Sequence, residues 1–146
     1  MEDKATTHIS RLLLISTSMQ MTNKIITAPS GATYLSQFMD DIPANCIFNK
    51  TLTGCGATEL ALRNDTPTII AMPYVSLVKN KTLYRQDGRN ILGVYADISN
   101  DMIADYMQTP NPLKIATTYD SLPRVINTLQ DLGLNPYKDI FLLIDE

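Results

Sequence analysis

An α/β fold built on a doubly wound parallel sheet is what this sequence predicts, on three observations. Apolar, β-branched runs recur without strict alternation, as in strands buried on both faces. Stretches of helical periodicity separate them, as crossover connections between parallel strands require. The composition is globular: 146 residues, 45% hydrophobic and 18% charged, with 6 Gly and 8 Pro. That excludes collagen-like, disordered and coiled-coil classes and fits one domain with a core of its own.

The elements follow in order. Met1 to Asn23, rich in Thr, Ser and Met around one apolar cluster, Leu12 to Ile15, read as an N-terminal extension, leaving 24–146 as the domain. Ile25-Ile26-Thr27 is short and β-branched, and Pro29-Ser30-Gly31 is a turn signal. Thr33 to Asp40 places Tyr34, Leu35, Phe38 and Met39 on one helical face. Cys46-Ile47-Phe48 reads as the first strand of the alternating region, followed by a loop with two glycines and a helix over Thr58 to Arg63. The second strand, Thr68 to Met72, is stopped by Pro73, and a helix is expected from Val75 to about Lys81. Leu83 to Asn90, with Arg85, Asp87, Gly88 and Arg89, reads as an exposed turn. Ile91 to Tyr95 is the third strand, and Asn100 to Met107 a helix capped by Ser99. Lys114 to Thr118 is the fourth strand, Ser121 to Leu132 a helix ended by Gly133, and Ile140 to Ile144 the fifth strand.

With 12 basic against 15 acidic residues the net charge is −3, so no overall positive field advertises nucleic acid or an anionic membrane, and any such contact must be local. Cys46 and Cys55 have neither CxxC spacing nor histidine companions, since His8 is the one imidazole; this argues against zinc and for a reducing, cytoplasmic setting. Leu12 to Ile15 is far too short to span a bilayer, and no cleavage site follows it, so neither a transmembrane segment nor a signal peptide is expected.

The chemistry concentrates in two places. The segment Lys50-Thr51-Leu52-Thr53-Gly54-Cys55-Gly56-Ala57-Thr58 is a glycine loop between a predicted strand and a predicted helix, an arrangement that turns backbone N–H groups toward an anion. Against the phosphate-loop pattern G-x-x-x-x-G-K-[ST] it keeps Gly56 and the Mg²⁺-side hydroxyl of Thr58, with Thr51 at the first glycine and Ala57 at the lysine. The chain ends Phe141-Leu142-Leu143-Ile144-Asp145-Glu146, an apolar strand running into two carboxylates. An NTPase places one such acid on the Mg²⁺ shell and the other on the attacking water. Each feature alone has an ordinary explanation, turn chemistry or a solvated terminus; the ordered pair is harder to obtain by chance.

With these residues the sequence resembles the first RecA-like lobe of superfamily two helicases and translocases, the DEAD/DEAH-type enzymes. Thr53 to Thr58 looks like their T-G-x-G-K-T motif I with the lysine lost, and Ile69 to Leu77, through Pro73, is similar to motif Ia. Ile115 to Leu122 resembles the T-Y-x-x-L segment, and Leu143-Ile144-Asp145-Glu146 the start of the D-E-x-[DH] motif II. The resemblance runs from about Lys24 to the end and implies a P-loop NTPase lobe with a mostly parallel sheet, helices on both faces, incomplete at its C-terminus. It implies ATP and Mg²⁺ as ligands, with Thr53, Gly54, Cys55, Gly56, Ala57, Thr58 and Gln37 at the nucleotide, and Thr58 and Asp145 at the metal. Asp145 and Glu146 would be catalytic, and Lys50, at the mouth of the loop, would either replace the missing lysine or merely cap the strand. Tyr34, like Gln37, falls where relatives carry an adenine-reading aromatic and glutamine.

Pro73, Lys79, Thr118 and Arg124 fall where relatives touch one nucleic-acid strand, so DNA or RNA is the implied partner of the complete enzyme, together with a second RecA-like lobe. Lys79, Lys81 and Arg124 read equally well as solvated basic residues at helix ends. Loss of the loop lysine implies weak hydrolysis, and the stop at Glu146 reads as a fragment, a trimmed chain or a decayed gene, with little turnover expected of this piece alone. The rival expectation is a degenerate, non-catalytic RecA-like interaction module.

Overall fold

The structure is a computed structural model, and it describes residues 23–50, 52–83 and 87–145. Four strands, β1 (Thr68–Met72), β2 (Leu92–Val94), β3 (Lys114–Thr118) and β4 (Phe141–Ile144), form one sheet in the order β2-β3-β1-β4. Every pairing is parallel, with Ile69 opposite Ile115 and Leu142, and Ala116 opposite Gly93. Among the described residues five α-helices accompany them: α1 (Ala57–Arg63), α2 (Val75–Thr82), α3 (Asn100–Met107), α4 (Leu122–Asp131) and α5 (Pro136–Asp139).

The central strands β1 and β3 are buried on both sides because both sides are covered, whereas β4 leaves Leu142 and Ile144 exposed on one face. Ile70, Met72 and Ala116 face one layer, where Ala57, Leu60, Ala61 and Leu62 of α1 and Val78 of α2 pack. Ile69, Ile115 and Val94 face the other, against Ile103 and Tyr106 of α3 and Val125 and Leu129 of α4. Travel from β1 out to β2 uses the α2 face, and the return to β3 and on to β4 uses the α3–α4 face. Every crossover therefore has the same hand, as twisted parallel sheets require. The connections leaving β1 and β3 go to opposite faces, so the carboxyl ends of these neighbouring strands form the switch point where α/β sheets place ligands.

Two polar clips tie the opposite end of the sheet. Lys114, only 4% exposed, shares the three N–H bonds of its ammonium among Ala61 O (2.7 Å), Asn64 Oδ1 (2.6 Å), Thr66 O (2.6 Å) and Thr68 Oγ1 (3.1 Å). It thereby stitches the α1–β1 connection to β3. The Tyr106 hydroxyl donates to either the Asn90 or the Lys114 carbonyl (2.9 and 3.0 Å) and accepts from Lys114 N (3.0 Å), while burial raises its pKa. Across the sheet, a Cβ on Gly93 would stand 3.0 Å from Thr82 Oγ1 and 3.4 Å from Val78 Cγ1, so the glycine lets α2 lie close on β2. Gly93→Ala is expected to lower stability by about 1–3 kcal/mol, read from the urea midpoint at unchanged slope.

Strands two to five of the sequence-based expectation, and the three helices expected between them, form within a residue or two of their anticipated bounds, while α5 is an addition. Two expectations are corrected, the first strand and the first helix. Cys46-Ile47-Phe48 forms no strand: Asn45 turns the chain at φ 55°, Ile47 is 83% exposed, and β4 pairs with β1 alone among the described strands. A β-prone triplet without a neighbouring strand has no ladder to join. Ile25-Ile26-Thr27 is likewise outside the sheet. The helix expected over Thr33 to Asp40 shrinks to a 3₁₀ turn, Leu35–Gln37, because Leu35 N donates to Cys55 O (2.9 Å) and Gln37 Oε1 accepts from Thr33 N and Tyr34 N. Of the expected extension 1–23, all but Asn23 lies outside the described residues.

Candidate phosphate and metal site

The loop that opens α1 is shaped by its glycines. Gly54 (φ 74°) and Gly56 (φ 85°) both take left-handed backbone, which a side chain disfavours, and Gly56 is the residue from which the helix starts. Thr53 and Gly54 are exposed, Cys55 and Gly56 half-buried, and Ala57 and Thr58 buried. Ala57 is part of the core layer that packs beneath α1. Tyr34 lies against the loop from outside, with Cδ1 3.7 Å from where a Cβ on Gly56 would stand. The Leu35 N to Cys55 O bond pins the same two segments together.

Asp145 arrives at this loop from the far end of the chain. β4 runs parallel to β1, and Asp145 N donates to Ala71 O (2.9 Å), carrying the pairing one residue past the strand. The Tyr119 hydroxyl, just beyond β3, donates to Asp145 O (2.8 Å). The carboxylate so held accepts from Thr58 Oγ1 on Oδ2 (2.7 Å) and faces Lys50 Nζ with Oδ1 (3.5 Å). Three residues singled out in the sequence, Lys50, Thr58 and Asp145, thus meet at the carboxyl end of the sheet. Glu146 and Thr51 lie outside the described residues.

The donor set can be tested against Mg²⁺. A hydroxyl and a carboxylate are hard oxygen donors of the kind the ion takes, and it ordinarily completes its octahedron with water and phosphate oxygens. The residues present fit Mg²⁺ held jointly with a phosphate. They do not make a cage for a metal alone, since among the described residues no three His, Cys, Asp or Glu side chains gather.

The four residues considered for nucleic acid are placed apart from this cluster or beside it. Pro73 and Thr118 end adjacent strands at the same rim, with Thr118 buried. Lys79 stands over the Tyr95 ring, 5.3 Å from its centroid. Arg124 donates to the Ile98 and Tyr95 carbonyls and to Asn100 Oδ1 (3.2 Å), clamping α4 to the connection ahead of α3. Lys81 pairs with Glu59 (2.9 Å). Tyr119 was not among the candidates; its signal is a tyrosine directly after a parallel strand, at the end where Asp145 emerges. A cleft of about 280 Å³ at the other end of the sheet, lined in part by Asn64, Asp65, Arg89 and Lys114, lies away from this chemistry.

Comparison of the chain with protein-family models, curated proteins and solved structures finds no match. No helix among the described residues is long and apolar enough to cross a membrane.

Proposed function

We propose that this chain is the ATP-binding, RecA-like lobe of a cytoplasmic nucleic-acid helicase or translocase, acting with a second lobe and with DNA or RNA. One observation carries the reading. A threonine two residues past a glycine of the loop and an aspartate one residue past a parallel strand, 87 positions apart, share a 2.7 Å hydrogen bond at the carboxyl end of the sheet. That is the pair of oxygens a Mg²⁺-nucleotide would use. Lys50 supplies the positive charge on the same carboxylate, and the Gly54–Gly56 backbone would lie along the phosphates. Mg²⁺, when bound, neutralises phosphate charge. Thr58 and Asp145 would hold it, Tyr119 fixes the Asp145 backbone, and Tyr34 offers a face beside the loop for a base.

A second reading draws on Ala57. Its methyl is part of the core, so the position aligned with the missing lysine contributes packing, as a degenerate, non-catalytic interaction module would have it. Calorimetric titration of Mg²⁺-ADP and Mg²⁺-ATPγS separates the two. Micromolar binding that weakens about tenfold in Thr58→Ala and is kept in Thr58→Ser supports the nucleotide site, in line with losing one oxygen ligand of the ion. No heat with either nucleotide favours the module.

A further inference from the structure

We propose that Lys50 is an internal counter-ion that keeps the Asp145 metal seat closed to free divalent cations and leaves it when a phosphate arrives to take the ammonium. This rests on the nucleotide reading of the site and adds a rule for the order in which the site fills. Both oxygens a metal would use are engaged: Oδ2 accepts from Thr58, and Oδ1 faces the Lys50 ammonium. Lys50 is the one basic residue between Lys24 and Arg63, so no other cation in this stretch of chain can take its place. With no cluster of three acids or other ligating side chains among the described residues, a divalent ion entering alone must displace the ammonium and then sit beside it.

The pair is built to part. At 3.5 Å it is loose, and the Lys50 side chain is 36% exposed on a flexible four-carbon stem. A nucleotide brings anionic oxygens that pair with the ammonium and complete the metal's coordination, so metal and phosphate enter together. The core-facing Ala57 leaves Lys50 to serve both partners in turn.

Mn²⁺ binding to the full chain, followed by electron paramagnetic resonance at low salt, tests this with no turnover required. Without nucleotide, Lys50→Ala is expected to bind Mn²⁺ about three- to fivefold more tightly than wild type, the size of a partly exposed ion pair, with the gain shrinking at high salt. Lys50→Arg and the distant control Lys138→Ala should match wild type. With ADP present the order reverses, and Lys50→Ala binds Mn²⁺-ADP several-fold more weakly. Equal or weaker Mn²⁺ binding by Lys50→Ala, the same gain in Lys138→Ala, or no Mn²⁺ binding by any variant overturns the proposal. A Mn²⁺ gain in Lys50→Ala with no ADP binding by wild type supports the counter-ion pair and overturns the nucleotide reading and release by phosphate.

Discussion

Lys114→Met is expected to cost the fold about 3 kcal/mol and to flatten its alkaline pH dependence. The methionine fills the space of the lysine stem but takes a donor from the oxygens of Ala61, Asn64, Thr66 and Thr68, of which Asn64 Oδ1 keeps Thr66 N and Thr66 O keeps Thr68 Oγ1, and each hydrogen bond lost from the ammonium costs about 1 kcal/mol. Relief from burying an ammonium offsets part of this. Urea unfolding at neutral pH measures the loss; a change under 1 kcal/mol would mean that the clip is dispensable.

The pH dependence has a definite sign. Burial lowers the Lys114 pKa from 10.5 to about 8, with the positive charge of Arg89 adding to the effect and Asp41 and Asp65 opposing it. Between those values the unfolded chain binds more protons at this site than the folded one, so the Lys114 contribution to stability rises with pH from about 8 toward 10.5. Tyr106, raised above its ordinary 10.0, acts the other way at the top of that range. The difference between wild type and Lys114→Met, followed from pH 7 to pH 10, isolates the lysine. A flat difference would place its folded pKa at the ordinary value.

Asp145→Asn is expected to reduce the affinity for Mg²⁺-ADP by on the order of 100-fold, the upper range for disturbing a metal's coordination, while leaving the melting temperature nearly unchanged. The amide oxygen can still accept from Thr58, and the backbone bonds to Ala71 and Tyr119 remain. What disappears is the negative charge that draws the metal. ADP without Mg²⁺ should bind the variant and wild type to within a few-fold, since in the proposed site Asp145 would meet the nucleotide only through the ion. Calorimetry with and without Mg²⁺ checks both arms. An equal loss in both would assign Asp145 a role in shaping the loop instead.

The sheet was legible because each strand carries its signal locally. Thr68–Met72 and, after its leading lysine, Lys114–Thr118 are apolar or small on both faces, and each sits between turn residues. The site was legible in part for the same reason, since a glycine loop and a strand-terminal aspartate are both written in a few consecutive residues. Lys114 was not: a single lysine at the head of a strand gives no sign that four oxygens from a segment about fifty positions earlier will close on it. Arg124 was read as a basic residue at a helix end, and its carbonyl partners appear only once α4 is laid beside the connection ahead of α3.

The sequence by itself determined the parallel α/β class, the positions of the strands and helices after residue 57 other than α5, and the two segments, the glycine loop and the strand-terminal aspartate, that carry oxygen chemistry. These follow from periodicity and turn residues within reach of one another along the chain. Tertiary structure alone decided that Thr58, Lys50 and Asp145 share one carboxylate, that Ala57 faces the core, and that Cys46 to Phe48 stays out of the sheet. Each depends on strand order, and strand order is set by which apolar faces can be buried together, a property of the whole domain that no local stretch contains.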